Sequence, residues 1–336
     1  MDDYQSVPES VSVPREGAKK YFLKIGLAVL LLPIVTTVLQ YAAAFAFAAF
    51  APKLYNSWWF LWLLSTIPLY CVAFPIFVYV LPKPADKIGE KRPFGVGKLV
   101  IACIIAVSAM YLFNIIGFNL VKYIKILSGG RLGQTDALNT IVNASPTWVT
   151  VAIACIVGPV MEEIIFRKVL MDRVLPFGEF RACLLSAIVF GLFHGNFHQF
   201  FYATALGFIF GYVYAKTRNI FYSVGMHMGI NLLGTVVVPN ILSAKNLDAV
   251  ERAAADPFNI TNSDAVSVLL VTGTVIVGVG LVLAGVILFF VFLKKIKFDA
   301  PKYEVEGGKA TKMLMLNPAM IAAMVVMAAA FVTALL

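Results

Sequence analysis

Nine stretches of apolar residues alternate with short polar segments along the chain. Most of them are close to the ~20 residues that a helix needs to cross the hydrocarbon layer of a membrane. Because every backbone N–H and C=O group must be paired inside lipid, we expect these stretches to be helices. The pattern predicts an all-α, polytopic membrane bundle of about nine transmembrane segments. The stretches cover residues 21–50, 58–81, 99–120, 148–171, 182–197, 200–215, 220–241, 266–293 and 318–336.

The fifth and sixth stretches are shorter than a typical spanning helix, which is usual where neighbouring helices shield a segment from lipid. If one of them is re-entrant, the number of crossings falls to eight. Both carry small residues at four-residue spacing, a pattern that lets helix backbones approach closely. These residues are Ala187, Gly191 and Gly195 in the fifth stretch, and Ala203, Gly207, Gly211 and Ala215 in the sixth.

The composition agrees with a membrane protein. Of the 336 residues, 60% are hydrophobic and 13% are charged, and the mean hydropathy is +0.87. A soluble domain carries roughly 25% charged residues, so this chain has too few charges for a soluble surface and too much apolar surface for a disordered chain. The cysteines lie in or beside apolar stretches without C-x-x-C spacing, and we expect buried small residues rather than disulfides. They are Cys71, Cys103, Cys155 and Cys183.

The net charge of +9 is explained by the loops. With the amino terminus in the cytoplasm, 21 of the 27 Lys and Arg residues fall on the cytoplasmic side and 6 fall outside, as the positive-inside bias predicts. We therefore expect a multi-pass cell-membrane protein with a cytoplasmic amino terminus, an external carboxyl terminus and no nucleic-acid partner. The polar first twenty residues, of mixed charge, predict a cytoplasmic tail rather than a cleavable signal peptide.

The acidic residues and the histidines are distributed unevenly. Of the 18 Asp and Glu residues, 16 lie in tails, loops or segment ends, whereas Glu162 and Glu163 lie inside the fourth apolar stretch. All three histidines, His194, His198 and His227, also lie in or at the edge of apolar stretches. An ionisable side chain at membrane depth costs on the order of 3 kcal/mol or more, so five of them in consecutive segments indicate a functional site.

The spacing of the polar residues predicts different roles for the two glutamates. Glu163 and Arg167 are four residues apart on one helix face, in the order that favours an ion pair. Glu162 points about 100° further round the helix, so we expect it to face the reaction centre while Arg167 neutralises Glu163. His227 and Asn231 are likewise four residues apart and face the same way from the seventh stretch.

Each of these features also has a structural explanation. A buried Glu–Arg pair is often purely structural, and a single histidine in a membrane helix often only completes a hydrogen bond. The spacing of His194 and His198 in the fifth stretch is weak evidence for a metal, because His198 falls where that stretch ends. Taken together, Glu162, His194, His227 and Asn231 favour a polar site between three helices.

Three motifs on successive apolar stretches resemble those of a known family. They are E-E-x-x-x-R (Glu162, Glu163, Arg167), F-x-x-x-H (Phe190, His194) and H-x-x-x-N (His227, Asn231). In this order they resemble the CPBP family, the CAAX-protease and bacteriocin-processing membrane endopeptidases also called the Abi family, and its type II CAAX prenyl endopeptidases in particular. The resemblance covers residues 158–234.

The resemblance implies an all-helical intramembrane peptidase with a polar cavity open to the cytoplasmic side. Its catalytic core corresponds to residues 148–241. We expect the cytoplasmic tail 1–20 and the membrane segments of 21–147 before this core, and an outer loop with two further membrane segments in 242–336 after it.

The resemblance also implies roles for individual residues. Glu162 activates the hydrolytic water, His194, His227 and Asn231 complete the catalytic site, and Glu163 and Arg167 support it. The family has been described both as metalloproteases and as metal-independent glutamate proteases, so the expected cofactor is either none or one zinc ion.

The two chemistries assign the side chains differently. Glu162, His194 and His227 match the ligand set of a catalytic zinc ion. Without a metal, Glu162 is the general base, and His and Asn donors stabilise the tetrahedral oxyanion. We prefer the metal-free chemistry.

The expected partners are the lipid bilayer and a peptide or membrane-anchored protein substrate, with or without a lipid group. Prenylated carboxyl-terminal peptides, bacteriocin leaders and membrane-bound signalling peptides are all compatible. A proton- or ion-coupled transporter is the main alternative, since intramembrane Glu and His also form proton relays, although no inverted repeat supports it. A non-catalytic bacteriocin-immunity protein is a further alternative, against which the intact motifs argue.

Overall fold

The computed structural model describes residues 10–55, 57–87, 89–133 and 137–336. Over these residues the chain is almost entirely helical, which confirms the predicted fold class. Two three-residue strands, β1 (Val11–Val13) and β2 (Tyr303–Val305), pair in parallel. The helices in chain order are α1 (Arg15–Phe50), α2 (Pro52–Tyr55), α3 (Trp58–Val80), α4 (Val96–Leu127), α5 (Ala137–Ala144), α6 (Thr147–Phe177), α7 (Glu179–Phe193), α8 (Phe197–Thr217), α9 (Ile220–Ile241), α10 (Ala244–Ala255), α11 (Asn262–Leu293), α12 (Ala310–Met315) and α13 (Pro318–Leu335).

Seven of the described helices are long and apolar enough to cross a membrane, namely α1, α3, α4, α6, α9, α11 and α13. Helices α7 and α8, which contain most of the fifth and sixth apolar stretches, are not among them. Helix α7 has 15 residues, about 22 Å at 1.5 Å per residue, and is shorter than the ~30 Å hydrocarbon layer. All nine stretches are therefore helical, while a full crossing by α7 and α8 stays a prediction.

Helices α7 and α8 form a closely packed hairpin inside the bundle. A Cβ atom on Gly207 would lie 3.1 Å from the Cα atom of Ala187, and one on Gly191 would overlap the hydroxyl of Thr204. The small residues therefore allow the two backbones to approach closely, as their spacing predicts.

The turn between α7 and α8 lies earlier than the apolar pattern predicts. It occupies residues 194–196, where Gly195 adopts a φ of +64°, a conformation that glycine tolerates best. Asn196 caps α8, because its Oδ1 atom accepts a hydrogen bond of 2.9 Å from the backbone N–H of Gln199. His194 and His198 consequently lie on different sides of this turn, and the expectation that both belong to the fifth helix is wrong.

Helix α6, which carries the two glutamates, is irregular. Two π-helical segments, Val151–Val157 and Ile164–Met171, flank a short α-helical part, Gly158–Glu163. Pro159 lies in this central part and has no N–H group to donate into the helix. Helix α3 contains a similar π-helical segment, Ile67–Ala73. Such segments are frequent at functional sites.

The loops at one end of the bundle contact each other. There β1, from the amino-terminal tail, pairs with β2, from the segment that follows α11. Lys302 in that segment forms an ion pair with Asp86 of the α3–α4 loop, and Lys216 at the end of α8 pairs with both Glu179 and Asp299. All these segments are ones that the charge pattern assigns to the cytoplasm. The structure brings them to one end, and their cytoplasmic location stays a prediction.

Two apolar clusters hold the helices together. The larger one includes residues of α1, α3, α6, α7 and α13, and the smaller one joins α4, α8 and α9. Helix α13 packs on α1, so the carboxyl-terminal part of the chain contacts its beginning. The division of the chain at residues 20, 147 and 241 stays a prediction.

The four cysteines are free. Cys155 and Cys183 are buried, as expected. Cys71 is exposed, so the expectation of burial is wrong for this residue, which lies on the outward face of α3.

Candidate active site

Glu162 and Glu163 lie near the middle of α6, just after Pro159. The side chain of Glu163 is completely buried, whereas that of Glu162 is 23% exposed. Because adjacent residues of a helix point about 100° apart, the two carboxylates lie in different surroundings, although both approach the ring of His227. The structure thus gives the two glutamates the different surroundings that their spacing predicts.

Glu163 is held by partners from two helices. Its Oε2 atom lies 3.1 Å from Nε of Arg167, one turn further along α6, and both side chains are fully buried. Its Oε1 atom lies 3.1 Å from Nδ1 of His227 on α9. The hydroxyl of Ser223, one turn before His227, lies near this carboxylate and donates a hydrogen bond of 3.0 Å to the carbonyl oxygen of Ile220. The ion pair predicted from the sequence is therefore present, with additional support from α9.

Arg167 connects α6 to α7. Its Nη1 donates a hydrogen bond of 2.6 Å to Oγ of Ser186, which donates in turn to the carbonyl oxygen of Phe166 at 3.1 Å. The guanidinium also lies 5.0 Å from the centre of the Phe190 ring, within the range of a cation–π interaction. The count of 21 cytoplasmic basic residues includes Arg167, whose side chain is fully buried within the bundle and is therefore not a loop charge.

His227 lies between the two glutamates. Its ring is 5% exposed, with Nδ1 facing Glu163 and Nε2 facing Glu162. An Nδ1–H bond to a carboxylate fixes the orientation of the ring and leaves Nε2 for the cavity. The distance from Nε2 to Oε2 of Glu162 is 3.6 Å, which is too long for a direct hydrogen bond. A bridging water molecule suits such a separation.

His194 lies directly after α7 and belongs to the same cluster. Its Nδ1 lies 2.8 Å from the carbonyl oxygen of Phe190, so Nδ1–H donates and Nε2 keeps its lone pair. The Phe190 ring packs edge-on against both His194 and His227, with ring centres 4.8 and 5.7 Å apart. The charge of Glu162 also acts on the His194 ring. The structure therefore brings Glu162, His194 and His227 together around Phe190.

Asn231 lies one turn after His227 on α9. Its Nδ2 donates a hydrogen bond of 2.9 Å to the carbonyl oxygen of Ala154 on α6. Ala154 lies in the first π-helical segment of α6, two turns before Glu162. The amide thus ties α9 to α6, and its participation in the reaction stays a prediction.

His198 lies in the first turn of α8, on the side of α4. Its ring packs against Phe118 of α4 with ring centres 6.0 Å apart. A Cβ atom on Gly117 would lie 3.0 Å from the carbonyl oxygen of His198, so α8 and α4 are in close backbone contact here. The structure gives His198 a packing role at this contact.

Two buried serines beside the ion pair were not predicted from the sequence. Ser186 on α7 and Ser223 on α9 are both completely buried. They lie beside Arg167 and Glu163 respectively. Serine is common in membrane helices and neither residue belongs to a spacing motif, so the sequence contained no signal for them.

Tyr70, which approaches the cluster from α3, was not predicted from the sequence either. Its hydroxyl lies 3.9 Å from the position that a Cβ atom on Gly158 would occupy. Gly158 is one turn before Glu162, and the charge of Glu162 acts on the Tyr70 hydroxyl. Tyrosines are frequent in this chain, and only the packing of α3 on α6 distinguishes this one.

The residue types of Glu162, His194 and His227 are those of a catalytic zinc site. Among the residues that the structure describes, however, no group of three or more His, Cys, Asp or Glu side chains is arranged to hold a metal ion. The choice between the zinc and the metal-free chemistry stays a prediction.

Fold and site together define a polytopic helical membrane protein with a Glu–His cluster enclosed by α6, α7 and α9. The family model described as "Type II CAAX prenyl endopeptidase Rce1-like" matches residues 144–233. This segment contains all the residues that the sequence analysis assigned to the site. They are Glu162, Glu163, Arg167, His194, His227 and Asn231.

A curated relative supports the same assignment. The chain is 28% identical over 187 residues to "Putative membrane peptidase YdiL" of Bacillus subtilis (strain 168), an alignment that covers 55% of this chain and 74% of that protein. No solved structure matches the chain. The resemblance seen in the motifs is confirmed, because residues 144–233 match a CAAX prenyl endopeptidase family model and the chain is similar to a protein named as a membrane peptidase.

Proposed function

We propose that the chain is an intramembrane endopeptidase that hydrolyses a peptide bond with a water molecule activated by Glu162. The match of residues 144–233 to the endopeptidase family model and the similarity to a protein named as a membrane peptidase support the class of reaction. The choice of base rests on the contrast between two adjacent carboxylates. Glu163 is completely buried and paired with Arg167, whereas Glu162 is partly exposed and faces Nε2 of His227 across 3.6 Å.

The hydrolysis needs one carboxylate and one water molecule. Glu162 accepts a proton from the water while the water oxygen bonds to the carbonyl carbon of the substrate, and the carbonyl π electrons move onto the oxygen. The resulting tetrahedral intermediate collapses, the C–N bond breaks, and the proton passes from Glu162 to the leaving nitrogen. The products are a carboxylic acid and an amine, and Glu162 is regenerated.

The two histidines position the attacking water. Both rings use Nδ1 for a hydrogen bond to the protein, His194 to a carbonyl oxygen and His227 to Glu163. In these tautomers each Nε2 carries a lone pair that accepts a hydrogen from water. A water molecule between His227 and Glu162 is thereby oriented with one hydrogen toward the carboxylate.

The substrate is a peptide or a membrane-anchored protein that enters the bilayer, because the cluster lies between membrane-spanning helices. The description of the matching family model names a prenyl endopeptidase. Peptides with a prenylated carboxyl-terminal cysteine are therefore the first substrates to test.

The central experiment compares the purified protein with its Glu162→Gln variant on fluorogenic peptides, including prenylated ones. Gln is nearly isosteric with Glu but cannot act as the base, so we expect a rate loss of ~10²–10⁴-fold at an unchanged melting temperature. Glu251→Gln on the exposed side of α10 is the matched control and keeps the wild-type rate. Full activity in Glu162→Gln refutes the proposal, and pH-driven solute uptake by liposomes without proteolysis favours a transporter instead.

Prolonged dialysis against a strong chelator tests the metal-free form of the mechanism. We expect the dialysed protein to keep its rate and to contain far less than one equivalent of metal. One zinc ion per chain whose removal and return track activity would instead assign Glu162, His194 and His227 as its ligands.

A further inference from the structure

We propose that Tyr70 is a further catalytic residue of this site and that its hydroxyl donates a hydrogen bond to the oxyanion of the tetrahedral intermediate. This inference rests on the proposed hydrolysis and adds a group from a different helix. Tyr70 lies on α3, outside the segment 144–233 that the family model matches. The matched motifs therefore give no indication of it.

The position of Tyr70 is set by α3 and by the larger apolar cluster. It lies in the π-helical segment Ile67–Ala73, and its ring packs against buried apolar residues of that cluster. The ring is thus anchored in apolar surroundings while its hydroxyl extends toward α6.

The hydroxyl reaches the face of α6 that carries the proposed base. It lies 3.9 Å from the position of a Cβ atom on Gly158. Gly158 and Glu162 are four residues apart, so they share one face of the helix. Glu162 is close enough for its charge to act on the Tyr70 hydroxyl. Because Gly158 has no side chain, no Cβ atom stands between this hydroxyl and the helix backbone.

The other candidate donors of the cluster already have partners. Nδ1 of His194 donates to the carbonyl of Phe190, and Nδ1 of His227 bonds Glu163. The amide of Asn231 is anchored to Ala154, two turns away from Glu162. The Tyr70 hydroxyl, in contrast, makes no hydrogen bond to another residue within the described part of the chain.

An oxyanion that forms away from bulk water needs donors in place before the reaction. A phenol O–H is well suited, because it donates a strong hydrogen bond and keeps its proton at neutral pH. Removal of one such donor typically lowers kcat by ~10²–10³-fold. No proton is transferred from Tyr70 in this role, so the balance of the hydrolysis is unchanged.

The test uses Tyr70→Phe in the full-length protein, with the peptide substrates that the wild type cleaves. The substitution removes one oxygen atom and leaves the packed ring in place. We expect kcat to fall by ~10²–10³-fold, with KM and the melting temperature close to the wild-type values. Tyr79→Phe is the matched control, because Tyr79 lies on the same helix and is 89% exposed. It should keep the wild-type kcat.

A second measurement separates a catalytic role from a structural one. A phosphonate peptide presents a tetrahedral anion in place of the scissile carbonyl, and such analogues report transition-state interactions. Tyr70→Phe should bind this phosphonate at least about tenfold more weakly than the wild type does. Its affinity for a carboxamide peptide of the same sequence that is not cleaved should equal that of the wild type. Equal weakening of both ligands indicates a structural role and overturns the inference.

Glu162→Gln, measured in the same assays, distinguishes the two possible failures. If Glu162→Gln is inactive and Tyr70→Phe has the wild-type kcat, the role of Tyr70 is refuted and the proposed hydrolysis stands. If the wild type cleaves no peptide, the proposed function fails, and the inference fails with it.

Discussion

Replacing Arg167 by Met tests whether the buried ion pair is structural. Met retains much of the apolar volume of the side chain but removes the guanidinium. Glu163 then stays in a completely buried position with only His227 and Ser223 beside it. Its carboxylate would be an incompletely compensated charge inside the membrane.

The magnitude follows from the burial of the pair. Both side chains are completely buried and 3.1 Å apart, and removal of one partner from such a pair costs about 3–5 kcal/mol. The hydroxyl of Ser186 also loses the Nη1 donor at 2.6 Å, which adds about 1 kcal/mol. We therefore expect a free energy of unfolding lower by about 4–6 kcal/mol, low yield, and activity lost through poor folding.

The assay is unfolding in mixed detergent micelles, with Arg252→Met as the control. Arg252 and Asp264 are only 2.6 Å apart, closer than the buried pair, but the Arg252 side chain is 60% exposed. Only 11% of the Asp264 side chain is exposed, but it keeps its hydrogen bond from Thr261. Solvent screening makes pairs with an exposed partner weak, so this variant should be nearly as stable as the wild type despite its shorter ion pair. The double variant Glu163→Gln/Arg167→Met carries no unpaired charge and should recover much of the lost stability. An Arg167→Met protein that is fully stable but inactive refutes this reasoning and places Arg167 in the chemistry.

Two further predictions concern topology and packing. Cysteines introduced at Lys91 and Arg252 should be labelled from opposite sides of the membrane, with position 91 cytoplasmic, and labelling from the same side contradicts the nine-segment topology. Gly117→Ala should destabilise by about 1–3 kcal/mol, because its methyl group would overlap the carbonyl oxygen of Phe197. Gly97→Ala on the same helix meets no neighbour within 4 Å and should be neutral or stabilising, and equal effects of the two changes contradict the close α4–α8 contact.

The helices and the ion pair could be predicted because both depend on neighbours in the sequence. The lipid phase imposes helices on long apolar stretches, and a four-residue spacing brings Glu163 and Arg167 together in any helix. The hairpin turn depends on local detail instead. The apolar pattern extends the fifth stretch as far as Phe197, so it does not show that the chain already reverses at Gly195.

The rest of the site depends on contacts between distant segments. Tyr70 and Ser186 reach α6 from α3 and α7, across more than a dozen intervening residues in each case. Asn231 likewise shows that spacing along one helix does not reveal contacts with another helix. Its spacing from His227 correctly predicts a shared face of α9, but only the packing of α9 on α6 reveals that its amide bonds Ala154.

The two adjacent glutamates show how one residue type acquires two roles in a single helix. The imidazole of His227 contacts one carboxylate through each nitrogen, and it can offer at most one positive charge to the two of them. Because Arg167 already neutralises Glu163, that imidazole need not be a counter-charge for Glu163 and remains available to Glu162 and its water. In the proposed mechanism the ion pair is therefore a condition for the chemistry, although it takes no part in the reaction itself. This dependence explains why two carboxylates, an arginine and a histidine occur together at a depth where each of them alone would be unfavourable.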